Sequence, residues 1–397
     1  MKRLLTLTNI KIIILLLTIF PLITGCYNYQ ELNNLSIVTG TSIEKIDNKY
    51  KITIQVVNPK KSDDTSSTNQ PTFITYSQLG NTLQEAYRNI VLTSSRRIYG
   101  SHINILIISE DIAKEDISQI LDFVFRNTEM RKEFNVLLSK EPSKLLELNT
   151  PITNISSNNI KDTLTADTLH LAASRQITFN EMMNMYLNPN LEIVLPTVEM
   201  IGNFNEGENI DNLKNTNPNA DYKLTGLAIF KGNKILTTLN EKESVNYNIV
   251  TNNVTNTLLK HECQNNKYIV HKINELSTIQ EIDPKKNKLK VKITGTAIIS
   301  EVQCDYDLTK PKTIEKIQED INKELVKNTT NIIKKFQEQS TDVFGFEDIY
   351  YKNYYKDYNK IKDNYEEIFK NMQIDITSNI KVIAKGNVEG DIYEMEN

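Results

Sequence analysis

Tryptophan is absent from the 397 residues, and only 12 glycines, four histidines and three cysteines are spread along them. So few glycines leave little room for turns that cradle phosphates or dinucleotides. Neither a phosphate-binding glycine loop nor a Gly-x-Ser-x-Gly nucleophile elbow occurs. His102, His170, His261 and His271 form no pair at metal-ligand spacing, and no Cys-x-x-Cys is present. Carboxylate pairs are everywhere in a chain with 50 Asp and Glu, so none singles out a general acid or base. These absences argue against an enzyme and offer no catalytic residue, metal site or cofactor.

What is present starts at the N-terminus. Lys2, Arg3 and Lys11 form a basic segment that the cytoplasmic side of a membrane would retain. An apolar run from Ile12 to Ile23 follows, broken only by Thr18 and Pro21. It has the length of a signal-peptide core and falls short of the ~20 apolar residues of a spanning helix. The run ends in Leu22-Ile23-Thr24-Gly25-Cys26, a lipobox whose small residues admit a peptidase and whose thiol accepts diacylglycerol. Residues 1–25 are therefore read as a lipoprotein signal peptide. Cys26 becomes the lipidated first residue, carrying S-diacylglycerol and an N-acyl chain. At ~0.8 kcal/mol per buried CH₂, two or three chains anchor a protein where one would be marginal.

Loss of residues 1–25 removes three of the 46 basic residues and none of the 50 acids, which moves the net charge from −4 to −7. That balance argues against nucleic acid as a partner and against attraction of the whole surface to anionic headgroups. Arginine is scarce. The length exceeds what one core usually serves, so two or three domains are expected. Cys263 and Cys304 could pair outside the membrane, but nothing in their spacing requires it, and two buried thiols are the default expectation.

Period-two alternation predicts a hairpin over Ser36–Ile46 and Tyr50–Asn58, turning at Asp47-Asn48; 59–71 is a loop. An αβαβ run follows. Leu83, Ala86, Tyr87, Ile90 and Val91 stripe one helix, and Ile117, Ile120, Leu121 and Val124 a second. Ile103–Ser109 and Phe134–Ser139 are strands covered on both faces, and 141–148 is a short helix. Ile193–Met200 fits a strand, but the rest of 149–200 carries no clear pattern. Residues 202–221 have little to bury and read as the interdomain linker. Beyond it come a hairpin around Gly232-Asn233, a helix at 241–250 and long strands at 268–281 and 289–302. A helix striped by Ile314 through Phe336, a second over 347–371 rich in tyrosine, and a last strand ending at Gly386 complete the chain. The reading is α+β: an N-terminal α/β domain over 26–201, long enough to divide in two, and a C-terminal α+β domain over 222–390, with mixed sheets and packed helices.

Four segments carry a resemblance to a known family. They are Gly25-Cys26-Tyr27-Asn28-Tyr29-Gln30-Glu31-Leu32-Asn33; Leu83-Gln84-Glu85-Ala86-Tyr87-Arg88 with Ser95-Arg96-Arg97 and His102; Gly226-Leu227-Ala228-Ile229-Phe230-Lys231-Gly232-Asn233-Lys234-Ile235; and Gln337 with Asp342-Val343-Phe344-Gly345 before the aromatic helix. In this order they resemble the Ger(x)C family, the lipoprotein C subunits of bacterial spore germinant receptors. Tyr27 and the tyrosine-rich helix stand where the family prefers tryptophan. The resemblance implies a non-enzymatic subunit needed for nutrient-triggered spore germination. It further implies a place at the outer leaflet of the spore inner membrane beside two integral-membrane partners, one transporter-like and one bearing a soluble domain. A solute-binding lipoprotein of a transporter is the alternative; it would need two similar lobes around a cleft. An envelope hydrolase is a third reading.

Single residues have plainer explanations. Arg96, Arg97 and His102 could grip an anion, though such residues more often cap helices or pair locally. Glu85, Arg88, Arg126 and Arg131 read as an ion-pair set, and Lys231 with Glu243 as a bridge from hairpin to helix. Gly226 and Gly345 read as backbone positions closed to a side chain. The tyrosines at 350–365 read as packing rather than a ligand cage.

Overall fold

The computed structural model describes residues 12, 14, 15, 34–58 and 71–384. Cys26, the rest of the lipobox, the tether 27–33, most of the 59–71 loop and the end of the last strand at Gly386 lie outside them. Among the described residues no helix is long and apolar enough to cross a membrane.

The first hairpin is β1 (Leu35–Ile46) and β2 (Lys49–Val57), turning through Asp47 and Asn48, both at positive φ. β3 (Phe73–Gly80) extends it on the β2 side. α1 (Leu83–Asn89) buries Leu83, Ala86 and Tyr87, and Thr82 caps it by accepting from the Glu85 amide. Then come β4 (Arg97–Tyr99), β5 (Ile105–Ser109), α2 (Glu110–Glu115), α3 (Ser118–Arg126), β6 (Asn135–Ser139) and α4 (Pro142–Glu147). Two helices fill the stretch without clear pattern, α5 (Ser156–His170) and α6 (Phe179–Leu187). β7 (Val194–Gly202), β8 (Ala220–Lys231) and β9 (Lys234–Leu239) complete a nine-stranded sheet ordered β3-β2-β1-β5-β6-β7-β8-β9, with β4 beside β1. Its centre, β1-β5-β6-β7, is parallel; the hairpins on both flanks are antiparallel.

The second half opens with α7 (Glu241–Val250), followed by β10 (Thr257–Gln264), β11 (Lys267–Asp283) and β12 (Lys288–Val302) in an antiparallel meander. α8 (Pro311–Glu338) buries Ile317, Ile321, Leu325, Ile332 and Phe336, the stripe expected of it. α9 (Phe346–Asn353), α10 (Tyr355–Ile361) and α11 (Tyr365–Lys370) precede β13 (Gln373–Ala384), which joins β12 in parallel. The chain is thus α+β with two mixed sheets and packed helices. The tyrosine-rich segment, expected as one helix over 347–371, is broken at Tyr354 and again at 362–364. Asn353 and Asn364, weak helix formers, stand at the breaks. Tyr350, Tyr358 and Tyr365 are buried while Tyr354 is 38% exposed.

Alternation distributes the cores. Leu106, Ile108, Val136 and Leu138 face one side of the first sheet. Ile105, Ile107 and Leu137 face the other, under Leu145, Leu146, Ile160 and Leu164. Each fully buried Leu or Ile is worth ~1.5–3 kcal/mol. In β8 the alternation serves two halves of the molecule. Ala228 and Phe230 enter the first core, whereas Leu227 and Ile229 join the core of the second sheet with Tyr247, Phe336 and Phe346.

The segment read as a linker differs accordingly. Residues 203–219 connect β7 to β8, two neighbours in one sheet. Asn212 is buried there and donates to the carbonyls of Asn149 and Ala220 at 2.9 Å each. A polar side chain with complete hydrogen bonds replaces the apolar residue that would have marked a packed segment.

The two cysteines also differ from expectation: Cys263 and Cys304 are disulfide-bonded, with Cα atoms 6.4 Å apart. β10 and the end of β12 flank the same start of β11, around Tyr268, so pairing register brings together residues 41 apart in sequence.

Gly226 has φ +128°, and a Cβ there would meet the Leu239 carbonyl oxygen at 2.1 Å. Gly226→Ala should therefore cost about 3 kcal/mol or more. Urea unfolding checks this as a lowered midpoint at unchanged slope.

Candidate functional site

The structure separates several predicted groupings. Lys231 and Glu243 do not meet: Lys231 pairs with Glu366 at 2.9 Å, and Glu243 with Lys335 at 2.7 Å. Glu243 also closes a capping box with Asn240 at the start of α7. Arg126 pairs with Asp122 and Arg131 with Glu133, both exposed contacts. Glu85 accepts from the Asn81 amide at α1. Arg88, Arg96 and Arg97 line one recess of about 300 Å³, from which His102 is excluded; His102 instead packs on Tyr99 at 5.7 Å.

Sequence reasoning missed a histidine pair. His261 on β10 and His271 on β11 are diagonal neighbours across the strands, stacked with ring centroids 5.1 Å apart. The His271 Nε2 and His261 Nδ1 lie 3.1 Å apart, so one donates to the other. Burial holds both below the ordinary histidine range, His271 at about 4, which keeps them neutral. Among the described residues no group of three or more His, Cys, Asp or Glu is placed to hold a metal ion.

The most concentrated chemistry lies where the tyrosine-rich helices meet the loop before β7. Asp342 is half-buried and accepts from the amides of Phe344 at 3.0 Å and Glu347 at 2.6 Å, and from the Tyr365 hydroxyl at 3.1 Å. Those bonds favour the ionised carboxylate, yet burial prevails and lifts its pKa to about 6. Glu347 is raised to about 7, by burial first and then by the negative charges of Asp342, Glu192 and Glu366. The Tyr358 hydroxyl reaches Asn190 Oδ1 at 3.0 Å and Glu347 Oε1 at 2.9 Å. One phenolic proton cannot serve two acceptors. With Glu347 protonated, the carboxyl donates to Tyr358 and Tyr358 donates to Asn190, so the two acceptors no longer compete for one proton. Asn188 adds a bond to Asp348 at 3.0 Å. The arrangement locks helices of the second half onto the loop that enters β7 of the first sheet.

Beside this lock Tyr351, Tyr354 and Tyr355 are 43%, 38% and 54% exposed, with the Tyr351 and Tyr355 rings edge-to-face at 5.6 Å. Exposed, clustered tyrosines suit a protein contact. They lie on the segment read from sequence as packing, which holds for their buried neighbours Tyr350, Tyr358 and Tyr365.

Comparison with known proteins places this architecture. Residues 28–200 match the spore germination protein N-terminal domain, and residues 225–386 match the family described as spore germination B3/GerAC like, C-terminal. The chain belongs to the Ger(x)C family. Spore germination protein KC of Bacillus subtilis (strain 168) is 27% identical over 389 residues, covering 94% of this chain and 95% of the relative. Spore germination protein GerQC of Bacillus cereus is 22% identical over 336 residues, covering 79% and 83%. The crystal structure of the GerBC protein shares the fold, with a TM-score of 0.53 at 15% identity over 90% of this chain and all of that one. The Ger(x)C sequence blocks divide between residues 200 and 225, within the β7–β8 connection and the start of β8.

Both raised carboxyls bind protons more tightly in the folded chain than in the unfolded one. Their favourable contribution is complete below about pH 4, the ordinary carboxylate range. It is lost as pH rises through their folded values of about 6 and 7. The melting temperature should fall across that window, and Glu347→Gln should reduce the fall by on the order of a few degrees. Calorimetry giving the variant and the parent the same slope would contradict the assignment.

Proposed function

We propose that this protein is the lipid-anchored subunit of a spore germinant receptor, a non-enzymatic component required for nutrient-triggered germination. The observation that carries the reading is the match of both halves of the chain to spore germination families, following a lipobox that ends at Cys26. Lipid at Cys26 holds the folded body at the outer leaflet of the spore inner membrane, beside a transporter-like subunit and a subunit with a soluble domain. Confinement to the bilayer raises the effective concentration of these partners, so modest contact surfaces suffice for a stable complex. The Cys263–Cys304 disulfide supports an extracytoplasmic position, since such bonds persist in oxidising compartments. The exposed tyrosines of α9 and α10 supply one contact surface of the required kind.

A solute-binding lipoprotein is not favoured. The nine-stranded and four-stranded sheets are not two similar lobes, and β8 contributes to the cores of both.

Replacing the acylated residue tests the reading. Cys26→Ala should leave the protein in the aqueous phase after detergent partitioning and lower nutrient-triggered germination by roughly ten-fold or more, the loss expected when assembly depends on tethering. Normal membrane recovery together with normal germination would refute it.

A further inference from the structure

The recess lined by Arg88, Arg96 and Arg97 lies where the chain enters the fold. Leu35, the first residue of β1, pairs with Arg97 of β4, and the Ser36 hydroxyl lies 3.4 Å from that of Ser94. Eight residues carry the chain from Cys26 to Asn34, a reach of at most ~28 Å. A lipid on Cys26 therefore keeps this end of the molecule within a few tens of ångströms of the bilayer.

The composition of this end is unlike the rest. Beyond residue 25 the chain has six arginines, and five of them lie between Arg88 and Arg131. Arg97 is tied loosely to Glu129 at 3.4 Å. Arg88 and Arg96 have no carboxylate within ion-pair distance among the described residues. Next to them Val91 is 56% exposed and Leu92 81% exposed, two aliphatic side chains left in water at the end of α1. Arginine presents a planar fork of donors suited to phosphate oxygens. Basic residues bordering exposed aliphatic ones make up the pattern of a surface that rests in the headgroup layer.

We infer that this end of the molecule is a membrane-contacting surface. Arg88, Arg96 and Arg97 take the phosphates of anionic phospholipids, and Val91 and Leu92 enter the interface between headgroups and acyl chains. The inference rests on the proposed anchoring at Cys26 and adds an orientation to it. The body as a whole is net negative and is repelled by an anionic bilayer, whereas the arginines at this end are attracted to it, so headgroup charge turns them toward the membrane. Without such contacts the tether would leave the body free to tumble.

The lack of tryptophan supplies the assay, because Leu92→Trp introduces a lone reporter. Full-length acylated protein is reconstituted in phosphatidylcholine vesicles with or without phosphatidylglycerol, each with brominated acyl chains as quencher. Quenching should be roughly two-fold or more greater with phosphatidylglycerol. The difference should vanish when Arg88→Gln, Arg96→Gln and Arg97→Gln are combined. It should vanish equally for Leu92→Trp with its arginines intact in about 0.5 M salt, where screening acts over only a few ångströms; the salt arm decides if the triple variant does not fold. Ile279→Trp, on an exposed position of β11, should stay unquenched. Quenching of Leu92→Trp that is absent, indifferent to phosphatidylglycerol or unaffected by salt overturns the inference. Flotation of the same vesicles separates the two readings: protein that floats without quenching retains its anchor but not this surface, and protein that does not float loses both.

Discussion

The period of two in β8 is the constraint on which the molecule depends. Successive side chains of a strand point to opposite faces, so Leu227, Ala228, Ile229 and Phe230 cannot all enter one core. Ala228 and Phe230 close the core of the nine-stranded sheet, and Leu227 and Ile229 help to found that of the four-stranded one. A one-residue slip would exchange the two sets and mismatch both cores at once. Gly226, at positive φ and against the Leu239 carbonyl, fixes the register where the slip would start. The two sequence families meet at this strand, so the second half is built onto the first rather than tethered to it.

Polar contacts then complete what β8 begins. α7 has no solvent-facing side through its C-terminal part: Ser244 to Val250 are all buried. Its Asn248 donates to the carbonyls of Ala172 and Ser174 after α5, each at 3.0 Å, and its Tyr247 donates to the Val343 carbonyl at 2.9 Å. Around α9 and α10 the partners are Asn188, Asn190, Asp348 and Tyr358. Buried donors and acceptors tolerate few alternative alignments, because a displaced partner leaves an unsatisfied group that costs ~1–3 kcal/mol. Apolar burial holds the halves together; these bonds set the angle between them. Burial of Asp342 and Glu347 in the same junction is why carboxyls there resist ionisation.

Much of the fold was legible because its signals are local. The β1–β2 and β8–β9 hairpins announced themselves by alternation around Asp47-Asn48 and Gly232-Asn233, and α8 by its isoleucine stripe. α5 was not legible: only Ile160 and Leu164 of its apolar positions are buried, among Asn, Asp and Thr that favour other conformations. α6 did carry a signal, the capping box Thr178–Glu181, in a stretch where no stripe drew attention to it. The disulfide, the histidine pair and the recess of Arg88, Arg96 and Arg97 all depend on strand register or on a loop returning beside β1. Sequence spacing contains neither. The packing of 202–221 was not legible for a different reason, since the residue that packs it is an asparagine.

Topology adds one relation that neither half shows alone. β1, β5, β6 and β7 run parallel, so the entry to β1 and the loop entering β7 lie at the same end of the sheet. The arginine recess flanks the first, and Asn188 and Asn190 of the second hold the tyrosine-rich helices. Three strand spacings of about 4.8 Å, ~14 Å in all, separate β1 from β7 across the sheet, and β1 begins further out along the strand direction than β7. With Cys26 acylated as proposed, the segment from Cys26 to β1 would govern the height of both above the bilayer. Under the proposed acylation of Cys26, a membrane-embedded partner would meet the exposed tyrosines on the side of the body held closest to the bilayer, and the tether that limits diffusion would also limit which face is presented.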